Sequence, residues 1–236
     1  FEAVGGISPP ALLGKVVQVG PKQLPGVIGA RPIHLLDAGQ RNRNVKIDDM
    51  RIDIGAKKKD EAERKASIGA RATFLTKYEE SGRVALGKAF DNRTGCAALI
   101  ELLRGEPFPF DLYAIFSVQE EVGLLGAQVA AFGVRPDVAL VLESTPAYDL
   151  PNEQDVSPNV ALGQGASLYV MDAGTIQDPR LVSHIMRTAE NNGIPYQIRQ
   201  PGGGGTNTAV IQRAGGAVPA ATISTPTRYC HAPTSM

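Results

Sequence analysis

From about Gly82 onward, short runs of β-branched and aliphatic residues alternate with segments whose apolar residues recur at helical spacing. Such alternation favours a layered α/β fold: a mainly parallel sheet flanked by helices. Strands are expected at 83–90, 112–116, 137–142, 196–200 and 218–224, and helices at 96–103, 127–132, 179–191 and 208–213. Gly105, Gly133 and Gly193 sit where helices would stop. Residues 1–80 look different. Their strand-like runs, 16–19, 45–47, 50–54 and 72–75, are broken by Gly, Pro and Asp turns, which suits a small β-barrel-like domain. The expected division is therefore a β-rich domain at 1–80 and an α/β domain at 81–236. The opening on Phe1 and the close on Met236 just after a loop read as a domain incomplete at both ends.

Charge narrows the partners. With 24 basic and 24 acidic residues there is no net field to attract nucleic acid or an anionic membrane. The lysines at 57–59 begin a run whose acids are spaced to meet bases on one solvated helix, 57–65. Apolar runs such as 138–142 are too short to span a bilayer, and no charged-then-apolar leader precedes the first strand. A soluble, cytoplasmic protein is expected. Cys96 and Cys230 are far apart and form no C-x-x-C pair, so neither a disulfide framework nor a thiolate zinc site is expected.

Chemistry concentrates at strand ends. Glu120 and Glu121 follow the run 112–116, and neighbouring carboxylates repel unless a cation or a proton separates them. Taken alone, the pair reads as two solvated acids in a turn. Asp91 follows 83–90, where it could equally cap a helix, and Glu143 ends 137–142 ahead of Ser144-Thr145-Pro146. His231 lies in the loop after 218–224. Asp91, Glu121, Glu143 and His231 form an oxygen and nitrogen ligand set suited to Zn, Co or Mn. His34, among apolar neighbours, reads as a structural histidine, and His184 as a surface or packing residue. The glycines of Pro201-Gly202-Gly203-Gly204-Gly205-Thr206-Asn207 let backbone approach a crowded centre, and the loop lacks the ending of a phosphate-binding P-loop.

Four motifs then carry a resemblance. Ala89-Phe90-Asp91-Asn92-Arg93-Thr94-Gly95, Ser117-Val118-Gln119-Glu120-Glu121-Val122-Gly123, Gly204-Gly205-Thr206-Asn207 and Ile223-Ser224-Thr225-Pro226-Thr227-Arg228-Tyr229-Cys230-His231-Ala232-Pro233 resemble, in order, those of the tetrahedral and glutamyl aminopeptidases. These are dinuclear metallopeptidases, some of whose members carry an endoglucanase label. The β-rich first third is similar to that family's inserted domain, which implies a dimerisation-type role and a dimer-built homo-oligomer, up to a dodecamer. The resemblance implies that Asp91 bridges two divalent metal ions, Glu121 and Glu143 each bind one, His231 completes the second metal's shell, and Glu120 is the general acid/base. It implies hydrolysis of the N-terminal residue of peptide substrates by water activated between two metals.

Two departures stand out. The family has a further metal-binding His ahead of the inserted domain, which neither His34 nor His184 matches, and Asn207 stands where relatives often carry Asp. A related dinuclear deacylase or carboxypeptidase, or an inactive assembly subunit, remains an alternative reading.

Overall fold

A computed structural model describes residues 1–151, 160–200 and 202–236, so Pro201 of the glycine run lies outside the described residues. The chain divides into two compact units. One comprises Phe1–Lys88 with His231–Ser235, the other Ala89–Cys230 with Met236.

In the first unit, β1 (Val16–Val19), β2 (Leu24–Ala30), β3 (Met50–Asp53) and β4 (Ala72–Phe74) form an antiparallel sheet in the order β3-β2-β1-β4. Alternation fixes its inner face. Val17 and Val19 join Leu12, Ile28 and Met50 in the core, while Val16 between the pleats is exposed. No pairing closes the sheet into a barrel among the described residues, so the barrel-like expectation is not confirmed.

Strand β2 is absent from the sequence reading because Pro25, Gly26 and Gly29 look like turn residues. Gly26 is there for close packing: a Cβ would lie 2.8 Å from Cγ2 of Ile52. The expected strand at 45–47 is not formed, because Ile47–Asp49 winds into a 3₁₀ turn and Asp49 Oδ2 accepts the Lys46 N–H at 3.1 Å.

Two short helices, α1 (Ala38–Arg41) and α2 (Lys59–Lys65), complete the unit with the hairpin β5 (Glu79–Ser81) and β6 (Val84–Leu86). Glu63 and Glu61 of α2 pair with Lys59 and Lys65 four residues away, as the sequence suggested for a solvated helix. Only Val84–Leu86 of the expected strand 83–90 is extended. His34 lies in an exposed 3₁₀ turn, Ile33–Leu35, rather than packed as a structural histidine. Residues 231–235 join this unit through paired backbone hydrogen bonds between Gly87 and Ser235, at 3.0 and 2.7 Å, and through Thr76 Oγ1, which donates to the Pro233 carbonyl.

The second unit contains α3 (Phe90–Arg104), α4 (Leu125–Val134), β7 (Ala139–Pro146), β8 (Ala166–Tyr169), α5 (Pro179–Asn191), β9 (Tyr196–Arg199), α6 (Thr208–Ile211) and β10 (Ala220–Thr227). Its sheet has the order β7-β10-β8-β9. The β7–β10 and β8–β9 pairs are parallel, as expected, but β8 runs against β10, so the sheet is mixed. The unforeseen β8 makes the difference. Both β7 and β10 also run past their expected ends, through Pro146 and Pro226. Helix α4 continues through Gly133 and ends before Arg135, whose φ is +52°.

Helix α5 matches its expected span. Asp178 caps it by accepting the amides of Arg180 and Leu181, and Val182 and Ala189 are buried on one face. His184 is exposed on this helix. The run 112–116 is not a strand: no pairing includes it among the described residues, and Tyr113 is 64% exposed. An extended apolar run gains its stability from a paired neighbour, and none is described there. No helix among the described residues is long and apolar enough to cross a membrane.

Candidate metal centre

Asp91 is held against β7 by its own neighbours. It stands in the first turn of α3 with non-helical angles (φ −83°, ψ 105°), as does Asn92 (φ −119°, ψ 51°). Asn92 Nδ2 donates to the Leu142 carbonyl at 2.7 Å, while its Oδ1 accepts the Gly95 N–H at 3.0 Å. The amide capping this turn is therefore taken by Asn92. On the other side, Ser144 Oγ lies 3.0 Å from Thr94 Oγ1 and donates to the Phe90 carbonyl at 2.9 Å. Leu142 and Ser144 flank Glu143, so these bonds tie the Asp91 turn to β7 on either side of that acid. Gly95 permits the approach, since a Cβ would stand 2.9 Å from the Leu142 carbonyl oxygen.

Glu120 and Glu121 lie in a tight turn leading into α4, not at a strand end. Gln119 has φ +61°. The Glu120 carbonyl accepts from Gly123 and Leu124 at 3.1 and 2.9 Å, and the Val118 carbonyl accepts from Gly126 at 2.9 Å. Glu120 is half-buried and Glu121 exposed. Gly126 is the hinge pin of this turn: a Cβ there would lie 2.3 Å from the Val118 oxygen and 2.6 Å from its nitrogen. Gly126→Ala is therefore expected to cost about 3 kcal/mol, since main chain must shift to admit the methyl group. Thermal unfolding of the full-length protein checks this, and an unchanged melting temperature would contradict it.

Glu143 is the buried acid, 6% exposed, within β7 rather than at its end. Its Oε1 accepts the Ser144 N–H at 3.1 Å, and its Oε2 is buried with no hydrogen-bond partner among the described residues. Burial first, then the charge of Asp91, push its carboxyl up to about 8; the Ser144 amide opposes them, and the charge of Glu120 and a side-chain hydrogen bond with Asp91 add to the rise. Asp91 and Glu121 offer carboxylate oxygens within 4.8 Å of one another. Cys230 senses the same group: burial first, then Asp91, Glu143 and Glu121, push its thiol up to about 12. The structure thus gathers Asp91, Glu120, Glu121 and Glu143 within the second unit. His231 follows Cys230 directly in the chain and groups with the first unit; its φ is +63°.

Residues beyond the predicted set line this region. Asn207 Nδ2 donates to Ser117 Oγ at 3.2 Å, and its Oδ1 is buried without a partner among the described residues. Thr206 Oγ1 donates to Asp172 Oδ2 at 3.0 Å, anchoring the end of the glycine loop. Hydroxyl anchors of this kind carry no sequence signal, because Ser and Thr are common everywhere in the chain.

The donor set fits a hard divalent cation. A buried carboxylate with an orphan oxygen, beside other acids that raise its proton affinity, is the arrangement a cation relieves. Mixed α/β fold and carboxylate cluster together describe a metal-dependent hydrolase.

The model of the M42 glutamyl aminopeptidase family matches residues 1–236, and the chain belongs to that family. Its activity is that of a metal-dependent aminopeptidase. It is similar to the TET aminopeptidase of a marine sediment archaeon of the Thaumarchaeota, with 36% identity and a TM-score of 0.93, covering 100% of this chain and 68% of that one. The lysyl aminopeptidase of Pyrococcus furiosus is 33% identical over 97% of this chain and 66% of its own length. The TET1 peptidase of Pyrococcus horikoshii, described as assembling into a tetrahedron or a large octahedral shell, is 31% identical with a TM-score of 0.80, over 100% of this chain and 70% of that one. The chain thus spans about two thirds of the length of such relatives.

Proposed function

We propose that the acidic cluster would hold two divalent ions, with Asp91 a ligand to both, Glu121 and Glu143 a ligand to one each, His231 completing the second metal's shell, and Glu120 acting as general acid/base. The observation that carries this is the buried, half-partnered Glu143 beside Asp91 and Glu120. Bound ions of the Zn, Co or Mn type would acidify a water and polarise the scissile carbonyl. Glu120 takes the proton of the attacking water on a carboxylate oxygen and returns it to the departing amine. Division of labour between adjacent acids is natural here, since Glu121 can serve a cation while Glu120 keeps an oxygen for the proton. The free α-amine of a peptide meets an acidic site, which restricts cleavage to the first residue.

The β-rich first unit serves dimerisation in this reading, and the whole chain builds a cytoplasmic homo-oligomer, an assembly supported by what is described for the Pyrococcus horikoshii relative. Metal analysis of the full-length protein is expected to return two ions per chain, and fewer in His231→Ala. Equal metal content in that variant would remove His231 from the ligand set, and a single ion at saturation would overturn the dinuclear reading.

A further inference from the structure

Arg199 is a buried cation, 5% exposed, at the end of β9. Its guanidinium lies 4.5 Å from the centre of the Tyr169 ring and donates from Nε to Thr145 Oγ1 at 3.0 Å. The other nitrogens serve main chain: Nη1 and Nη2 each reach the Gly202 carbonyl at 3.1 Å, and Nη2 also reaches the Gly203 carbonyl at 2.9 Å. No carboxylate pairs with Arg199 among the described residues.

That capture sets the loop's polarity. In a trans peptide the C=O and the following N–H point in opposite directions. With the Gly202 and Gly203 carbonyls drawn onto the guanidinium, the amides of Gly203 and Gly204 face away from it, and neither donates to a described residue. Gly204 has φ +80°, a left-handed backbone conformation of the kind that anion-binding nests use. Side chains at 202, 203 or 204 would meet nothing within 4 Å among the described residues, so the loop is open on that side.

The loop also runs between two parts of the acidic site. Thr145, its anchor through Arg199, is two residues past Glu143, and Asn207 at its far end bonds Ser117, three residues before Glu120.

We infer that the glycine loop binds a main-chain oxygen of the substrate on the departing side of the scissile bond, either a peptide carbonyl or the terminal carboxylate of a short peptide, and that Arg199 is the positioning residue that turns the loop's donors outward. This rests on the acidic cluster being the place of cleavage.

The test is steady-state kinetics of the full-length holoenzyme on a tripeptide, its C-terminal amide, and an aminoacyl β-naphthylamide, which has no main-chain oxygen on the leaving side. Gly203→Pro deletes one outward N–H and is expected to raise the tripeptide KM about tenfold relative to that of the naphthylamide. Gly203→Ala keeps the N–H and recovers the wild-type ratio. A shift confined to the free acid identifies the carboxylate, while equal shifts for acid and amide identify the carbonyl. Should the proline variant not fold, Arg199→Lys keeps the charge, loses the fork, and is expected to move the ratio the same way. A ratio unmoved in both variants, or equal KM changes for peptide and naphthylamide, overturns the proposal. Failure of the unmodified enzyme to cleave the naphthylamide would instead count against the cluster as the cleavage site.

Discussion

Replacing Glu120 by Gln is expected to lower kcat by about two to four orders of magnitude while the bound metal stays in place. Glutamine keeps the shape and half-buried packing of Glu120 and can still donate and accept hydrogen bonds. What it cannot do is take a proton from the attacking water and hand it to the leaving amine. The parallel change Glu121→Gln is expected to act through metal content instead, because Glu121 shares the carboxylate cluster with Asp91. Metal analysis beside single-turnover kinetics separates the two acids. If Glu120→Gln loses metal, it is a ligand and the base lies elsewhere; if kcat is unchanged with metal retained, Glu120 has no part in proton transfer.

The acids that the second unit gathers stand out in the sequence because ligand-type residues are conspicuous where apolar runs break, at Asp91, at Glu120 with Glu121, and at Glu143. The structural reason for their positions was less legible. Glu143 sits inside β7, since Pro146 is tolerated where the strand leaves the sheet, whereas the polar run Glu143-Ser144-Thr145 ahead of a proline carries no strand signal of its own. Glu120 and Glu121 owe their place to a turn locked by Gly126 rather than to a strand at 112–116. Strand β2 hid behind Pro25 and two glycines, and β8 is four residues of Ala-Ser-Leu-Tyr, of which Ser167, Leu168 and Tyr169 are all buried, so no alternation marks it. Local pattern reports propensity, whereas β2 and β8 exist because of their partners. Arg199 illustrates the same limit: in sequence it is one arginine two residues before Pro201, and only tertiary contact shows its fork closing on the glycine loop.

Stripping metal with a chelator is expected to leave a protein that becomes less stable as pH rises from about 5 to 8. The sign follows from Glu143. Its folded carboxyl titrates at about 8, against an ordinary value of 4.5 in the unfolded chain, because burial and then the charge of Asp91 oppose ionisation. Below about pH 4.5 both states hold the proton and Glu143 contributes no slope. Between the two values the folded state holds more protons than the unfolded one, so stability falls with rising pH, and above 8 the loss is complete. The gap corresponds to at most about 5 kcal/mol. Glu143→Gln, neutral throughout, is expected to flatten the metal-free profile over this window, and saturating metal to do the same in the unaltered protein, because a bound cation replaces the proton on the buried oxygen. Urea unfolding of the full-length protein at a series of pH values reads all three cases. Metal-free stability that climbed between pH 5 and 8 would mean that the protein compensates the Glu143 charge by itself, and the site would then have no electrostatic need of a cation.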